Sequence, residues 1–216
     1  MRSFHSFGDL RSLQPVDAGF GGGRGKPIDR HYIESFLARH ADEIRGHVLE
    51  VGGDDYTRRF GGTRVANSSV LQAAVSYRHA DFIADLANGE GLPDANFDCF
   101  ICTQTLQYVF DLQSAITTIR RILAPGGVLL LTVPGISQIS PFDRDRWGEF
   151  WRFTPQSVQR LLEAGFDHDR VEVAAAGNVL AATAFLHGLA CEDLTPSELD
   201  TFDDRYPVLV TAHVAR

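Results

Sequence analysis

The sequence contains little positive charge and almost no lysine. Its 20 Lys and Arg residues are outnumbered by 28 Asp and Glu residues, so the formal net charge is -8, and Lys26 is the single lysine. Proteins that bind nucleic acids use clustered basic side chains to neutralise phosphates. We therefore expect no nucleic-acid partner.

Cysteine is scarce as well, with three residues in 216. Three thiols do not make a disulfide framework, and free cysteines are typical of a reducing compartment. Cys99 and Cys102 have C-x-x-C spacing but lie in an apolar run that is predicted to be a strand. Because residues three apart on a strand point to opposite faces, we expect buried thiols rather than a redox pair. No His, Asp and Glu residues show metal-ligand spacing, so we expect no metal.

Long apolar runs are also missing. None reaches the ~20 residues that a membrane-spanning helix requires. Residues 1–13 carry charged side chains without an apolar core, so they do not resemble a signal peptide. These absences predict a cytoplasmic protein with no membrane partner, and the sequence gives no indication of its oligomeric state.

The length and apolar content predict one domain. A chain of 216 residues with 44% hydrophobic residues can bury a full core. Residues 1–26 end in a glycine-rich run and are predicted to be a flexible segment or a lid, whereas residues 27–216 form a single domain. Strands and helices alternate there, which predicts a three-layer α/β sandwich. The predicted strands are 48–51, 64–67, 80–84, 97–103, 128–133, 170–175 and 208–214, and the predicted helices are 27–45, 112–123, 154–164, 178–189 and 195–198.

The first predicted strand leads into a glycine-bearing turn. Val48, Leu49 and Val51 suit a strand that is buried on both faces. Gly52 and Gly53 allow a sharp turn and a close approach to a ligand. The following Asp54 and Asp55 would repel a pyrophosphate, and the full G-x-G-x-x-G pattern is not present, which argues against NAD and favours a cationic ligand.

Four motifs in order resemble those of a known family. They are Glu50-Val-Gly52, Ala84-Asp-Leu86, Leu92-Pro followed by Phe97-Asp98, and the block from Arg121 to Leu130. This order resembles the class I S-adenosylmethionine-dependent methyltransferases, and residues 27–216 look most like their small type 11 group. The resemblance implies a Rossmann-like three-layer sandwich whose mostly parallel, seven-stranded sheet has an antiparallel C-terminal strand. It also implies S-adenosylmethionine as the cofactor.

The resemblance also implies the cofactor-binding residues. The backbone at Gly52 would contact the methionine part, Asp85 would bind the adenine amino group, and Thr103 and Gln104 would lie beside the methionine. By spacing alone, Asp85 could equally be a helix N-cap. The complete predicted set is Glu50, Gly52, Gly53, Asp54, Asp85, Leu86, Thr103 and Gln104.

Two departures from the family pattern support a second hypothesis. Asp54 and Tyr56 replace glycines after the first strand, and Asn67-Ser-Ser69 stands where the second strand usually ends in an acid that binds the ribose. The alternative is a methyltransferase-like domain that has lost catalysis and acts as a binding or assembly module. It predicts that Tyr56 points into the cofactor pocket.

The acceptor side is predicted to come from three regions around residues 24–32, 104–108 and 140–152. The resemblance implies methylation of a sugar or small-molecule hydroxyl in glycan or natural-product biosynthesis. Trp147 and Trp151 would share one face of a helix, either to bind a glycan or to plug the core. The substrate candidates are Arg30, Tyr32, Tyr108, Arg146, Trp147 and Trp151. The candidates for a catalytic base are His31, Asp143 and Asp145.

Overall fold

The computed structural model describes residues 11–74 and 80–216, which form an α/β sandwich around one sheet. In this part of the chain the sheet has seven strands in the order β3-β2-β1-β4-β5-β7-β6. The strands are β1 (Gly46–Val51), β2 (Val65–Gln72), β3 (Phe82–Ile83), β4 (Phe97–Thr103), β5 (Leu123–Pro134), β6 (Val171–Ala176) and β7 (Leu209–Ala215). The helices are α1 (Ile28–Arg39), α2 (Leu112–Ile122), α3 (Pro141–Trp147), α4 (Pro155–Glu163), α5 (Val179–Leu186) and α6 (Pro196–Asp200).

Strand directions agree with the predicted fold class. Strands β1 to β5 pair in parallel, whereas β7 runs antiparallel to both β5 and β6. The strand order reverses at β1, where β2 and β4 lie on either side. In an open α/β sheet this reversal leaves a crevice at the carboxyl ends of the strands, where ligands bind.

The core lies on both faces of the sheet. Cys102 packs in the cluster that contains α2 and α4, and Cys99 packs in the cluster that contains α1 and α5. The two thiols are free and buried, as predicted, and they lie on opposite faces. Burial raises the pKa of both, that of Cys102 to about 12.

Helix starts follow the capping signals of the sequence. The Asp111 side chain accepts a hydrogen bond from the Ser114 N–H at the start of α2. Thr154 and Ser157 form a reciprocal capping box ahead of α4, with Pro155 in the first turn. Each of these contacts satisfies backbone donors that the first helical turn leaves unpaired.

Two elements differ from the sequence prediction in ways that affect the site. Strand β2 extends to Gln72, so Asn67 to Ser69 lie inside the strand and its carboxyl end is Gln72. Helix α3 ends at Trp147 because Gly148 has a φ of +79°, a conformation that glycine adopts at helix ends. Trp151 follows the helix, so the prediction of a shared helical face with Trp147 is wrong.

The described part of the N-terminal segment is attached to the C-terminal half of the chain. The Val16 N–H donates to the His187 carbonyl at 2.7 Å, and Arg24 pairs with Asp193 at 2.7 Å. Residues 1–10 of this segment lie outside the described residues, and its role as a lid stays a prediction. Among the helices that the structure describes, none has the length and apolar character needed to cross a bilayer.

Candidate active site

A cavity of about 430 Å³ opens at the carboxyl ends of β1, β2 and β4. Its volume lies in the range of small-molecule sites. We call it the larger cavity, because a smaller one adjoins it. Its walls come from Val51, Gly52, Leu71, Gln72, Ala73, Ala84, Asp85, Leu86, Thr103, Gln104, Thr105, Tyr108, Val109, Arg146 and Trp147.

Gly52 opens the wall of this cavity next to β1. Its φ is +85°, and its N–H donates to the Leu71 carbonyl at 2.9 Å. A Cβ atom at this position would meet no described heavy atom within 4 Å. The backbone of Gly52 therefore borders open space, as the turn requires for close approach of a ligand.

Asp85 and Leu86 form the wall after β3. The Asp85 carboxylate accepts the Ala87 N–H at 2.8 Å, and its carbonyl accepts the Gly89 N–H at 2.7 Å. Asp85 thus caps a local turn rather than the helix that the alternative interpretation predicts, and it also lines the cavity. The buried Leu86 adds an apolar surface beside it.

Gln72 is a lining residue that we did not predict. It ends β2, and its Nε2 donates to the Gly52 carbonyl at 3.3 Å. Because the sequence prediction ended this strand five residues earlier, Asn67 to Ser69 were assigned to the ribose position. In the structure the end of β2 that lines the larger cavity is formed by Leu71, Gln72 and the following Ala73.

Gln104 joins the larger cavity to a second one. It follows β4 with a φ of +47°, and its N–H donates to the Thr132 carbonyl at 2.8 Å. A non-glycine residue in this conformation costs about 1–3 kcal/mol and is concentrated at functional sites. Both Gln104 and Tyr108 line the two cavities.

Three of the predicted cofactor residues, Glu50, Gly53 and Asp54, do not line the larger cavity. The buried Glu50 carboxylate accepts the N–H groups of Tyr56 and Thr57 and the Thr57 hydroxyl, and burial raises its pKa. Asp54 pairs with Arg58, so its charge is balanced within the turn, next to Gly53. Asp54 therefore does not present free negative charge to a cationic ligand, contrary to the prediction.

Tyr56 leaves the larger cavity open. Its hydroxyl accepts a hydrogen bond from Arg30 at 2.6 Å, and its ring lies 6.1 Å from that of Phe60. The binding-module hypothesis predicted that Tyr56 fills the cofactor pocket. The structure contradicts that prediction.

The second, smaller cavity has a volume of about 270 Å³. It lies between the N-terminal segment, α1, the turn after β4 and the segment that contains α3. Its polar side chains are those of Asp29, Arg30, Gln104, Gln107, Tyr108, Ser137, Gln138, Asp143 and Glu149.

Hydrogen-bond acceptors dominate the smaller cavity. The Tyr108 hydroxyl donates to Asp143 Oδ2 at 3.3 Å, and burial raises the pKa of Tyr108. Burial also raises the pKa of Asp29. The buried Gln107 Oε1 has no hydrogen-bond partner among the described residues. A ligand that donates hydrogen bonds would satisfy these oxygens.

The remaining predicted residues lie away from both cavities or on their outer side. His31 Nε2 bonds to Asp200 at 2.9 Å, and the Tyr32 hydroxyl donates to the Leu199 carbonyl. Asp145 pairs with Arg144, and Trp151 Nε1 donates to the Val109 carbonyl. These contacts leave Asp143 as the candidate base that faces a cavity.

The fold also assembles a His–Glu–His cluster that the sequence did not indicate. The possible ligand atoms of His40, Glu43 and His213 lie within 4.8 Å of one another. Glu43 bonds to both histidines at 2.8 Å, and the imidazole rings stack 4.7 Å apart at 10°. A metal ion lies in the plane of each imidazole that binds it, so these parallel rings do not converge on one ion.

The comparisons with known proteins agree with this geometry. Residues 35–131, which include β1 to β4 and most of β5, match a family model described as a methyltransferase domain. The chain carries a methyltransferase domain. No curated protein matches it in sequence.

Solved structures with this methyltransferase fold extend the likeness over nearly the whole chain. A methyltransferase from Archaeoglobus fulgidus is 12% identical, with a TM-score of 0.56 over 87% of this chain and 94% of that one. The N-methyltransferase NodS from Bradyrhizobium japonicum, solved with S-adenosylhomocysteine, is 15% identical, with a TM-score of 0.55 over 96% and 94%. A methyltransferase from Mesorhizobium loti is 19% identical, with a TM-score of 0.54 over 88% and 98%.

At these identities the structural likeness establishes the fold. Together with the family match, it confirms the predicted class, an S-adenosylmethionine-dependent methyltransferase with a Rossmann-like sheet.

Proposed function

We propose that this enzyme binds S-adenosylmethionine in the larger cavity and transfers its methyl group to an acceptor in the smaller cavity. The observation that carries the proposal is the pair of adjoining cavities at the point where the strand order reverses. Gln104 and Tyr108 border both, so two ligands bound there would meet at these residues. When bound, S-adenosylmethionine supplies a methyl group on a positively charged sulfur.

The residues of the larger cavity fit this cofactor. Gly52 provides an open backbone edge for the methionine part. Asp85 offers a carboxylate to the adenine amino group, and the Gln72 amide replaces the usual acid at the ribose. Leu71 and Leu86 supply apolar surface for the flat adenine ring. A neutral amide holds hydroxyls less strongly than a carboxylate does.

We propose that the acceptor atom is a hydroxyl oxygen of a sugar or another small molecule. The oxygens of Asp143, Asp29 and Gln107 accept hydrogen bonds from such hydroxyls. Asp143 is the base that we propose, because its carboxylate lies in the cavity and bonds Tyr108. It would take the hydroxyl proton as the oxygen gains the methyl group. Alignment of the two ligands and exclusion of water supply most of the rate acceleration.

Isothermal titration with S-adenosylmethionine and S-adenosylhomocysteine tests the cofactor step. We expect micromolar binding to the wild type and at least tenfold weaker binding to Asp85→Ala, because the variant removes a hydrogen-bond acceptor from the cavity wall. Asp169→Ala, which changes an exposed carboxylate beside β6, is the matched control and should bind as the wild type does. Absence of binding to the wild type at millimolar ligand would refute the proposal.

A further inference from the structure

Five large aromatic side chains are exposed beside the two cavities. Phe110 is 70% exposed and Phe142 is 60% exposed. Single exposed apolar residues are common, whereas a contiguous group marks an interaction site. We call this group the aromatic rim; it consists of Phe110, Phe142, Trp147, Phe150 and Trp151.

Within the aromatic rim, Phe110 contacts both Phe150 and Trp151. The rings of Phe110 and Phe150 lie 5.3 Å apart at 74°, and those of Phe110 and Trp151 stack at 5.9 Å and 28°. The Phe150 ring packs against Gly148, directly after Trp147. On the same short helix, the Arg146 guanidinium lies 3.4 Å from the centre of the Phe142 ring.

One backbone and one side-chain hydrogen bond hold the rim in place. The Phe150 N–H donates to the Gln107 carbonyl at 2.8 Å, and Trp151 Nε1 donates to the Val109 carbonyl at 3.0 Å. The rim is therefore fixed to the turn after β4, which borders both cavities. The apolar rings of the rim are exposed to solvent even though these hydrogen bonds hold the chain that carries them in place.

The segment that carries the rim also completes the cavities. Asp143 and Glu149 line the smaller cavity, and Trp147 lines the larger one. Polar groups in the cavity and apolar rings outside it thus alternate along one stretch of chain. A ligand whose polar end enters the smaller cavity would continue over the rim.

We propose that the acceptor is an amphiphile, with a hydroxyl-bearing head in the smaller cavity and an apolar chain or ring on the aromatic rim. This inference rests on the proposed function. A cavity of about 270 Å³ has room for a head group of one sugar ring and not for a long apolar tail. The net charge of -8 disfavours adsorption to an anionic bilayer, so a single amphiphilic molecule is the favoured occupant.

Tryptophan fluorescence gives a direct test, because the chain has two tryptophans and both belong to the rim. The probe is octyl glucoside below its micelle-forming concentration, with glucose as the head group alone. We expect a saturable blue shift with octyl glucoside and none with glucose at the same concentration. Phe110→Ala should weaken the apparent affinity at least fivefold, because it removes apolar contact area.

Phe202→Ala is the matched control, since Phe202 is 54% exposed and lies after α6, on another surface. It should leave the affinity unchanged. An equal fluorescence shift with octyl glucoside and with glucose would overturn the proposal. An equal loss of octyl glucoside affinity in Phe110→Ala and Phe202→Ala would overturn it as well. A shift with anionic vesicles but not with octyl glucoside monomers would overturn it in favour of a bilayer.

Calorimetric titration with S-adenosylhomocysteine on the same samples separates this inference from the proposed function. Normal cofactor binding without an octyl glucoside response would refute the amphiphile alone. If the wild type does not bind S-adenosylhomocysteine, the methyl-transfer proposal itself is refuted.

Discussion

Substituting Gly52 by alanine should have two effects that can be measured separately: backbone strain that destabilises the fold, and weaker binding of a ligand in the larger cavity. Gly52 has a φ of +85° and lines the larger cavity, where an added Cβ meets no described atom within 4 Å. The substitution therefore adds one methyl group to open space and forces an L-residue into the left-handed region. The added methyl group obstructs the ligand, and the left-handed backbone destabilises the fold.

Gly91 provides a matched control for the fold effect. Its φ is +82°, and an added Cβ there also meets no described atom within 4 Å, but it lies in the loop after β3. Left-handed backbone costs an L-residue about 1–2 kcal/mol. In a chain of this size, 1 kcal/mol lowers the melting temperature by about 2–4 °C. We expect both alanine variants to lose stability by the same amount.

The two variants should differ in cofactor binding. Thermal unfolding without ligand, followed by calorimetric titration with S-adenosylhomocysteine, measures both effects. We expect Gly91→Ala to bind as the wild type does and Gly52→Ala to bind at least tenfold more weakly, a loss of about 1.4 kcal/mol. Wild-type affinity in Gly52→Ala would refute the placement of the cofactor against this turn.

Two further predictions concern the fold. Burial alone would raise the pKa of Glu34, but hydrogen bonds from Lys26 and Arg59 hold it below 4.5, its ordinary value. These contacts therefore stabilise the fold above pH 4.5 and are lost as the pH falls through the lowered pKa. We expect Glu34→Gln to cost up to about 1 kcal/mol at pH 7. Thermal melts between pH 7 and pH 3 should show this difference vanish on acidification, and a constant difference would contradict the assignment. In a thiol titration at pH 8, Cys99 and Cys102 should react only after unfolding, because both are buried; fast reaction of two native thiols would contradict the packing.

Strong local patterns explain how much of the fold could be predicted. Strand β4 and the second half of β5 are apolar runs that end at polar or turn residues, and α4 begins at a Thr-Pro pair. Strand β2 was harder because its sequence, Val-Ala-Asn-Ser-Ser-Val-Leu-Gln, has polar residues in the middle. Its first half is largely exposed and only its second half is buried, so hydrophobicity alone does not mark its end.

Sequence motifs locate several residues that line the larger cavity, whereas contacts between distant parts of the chain could not be predicted. Gly52, Asp85 and Thr103 lie at or just after the ends of recognisable strands, and they line the larger cavity. The Arg30–Tyr56 bond joins α1 to the turn after β1, and no local pattern indicates it. Gly148 is a sequence signal for the end of α3, and it separates Trp147 from Trp151.

The attachment of the N-terminal segment has a consequence for how the two cavities arise as the chain is made. The walls of the larger cavity come from residues 51–147. The smaller cavity uses Gly19 and Phe20, and the chain around them is fastened by Glu192 and Asp193. During synthesis on the ribosome, every residue that lines the larger cavity has been made by residue 147, whereas the contacts that hold one wall of the smaller cavity need the chain as far as residue 193.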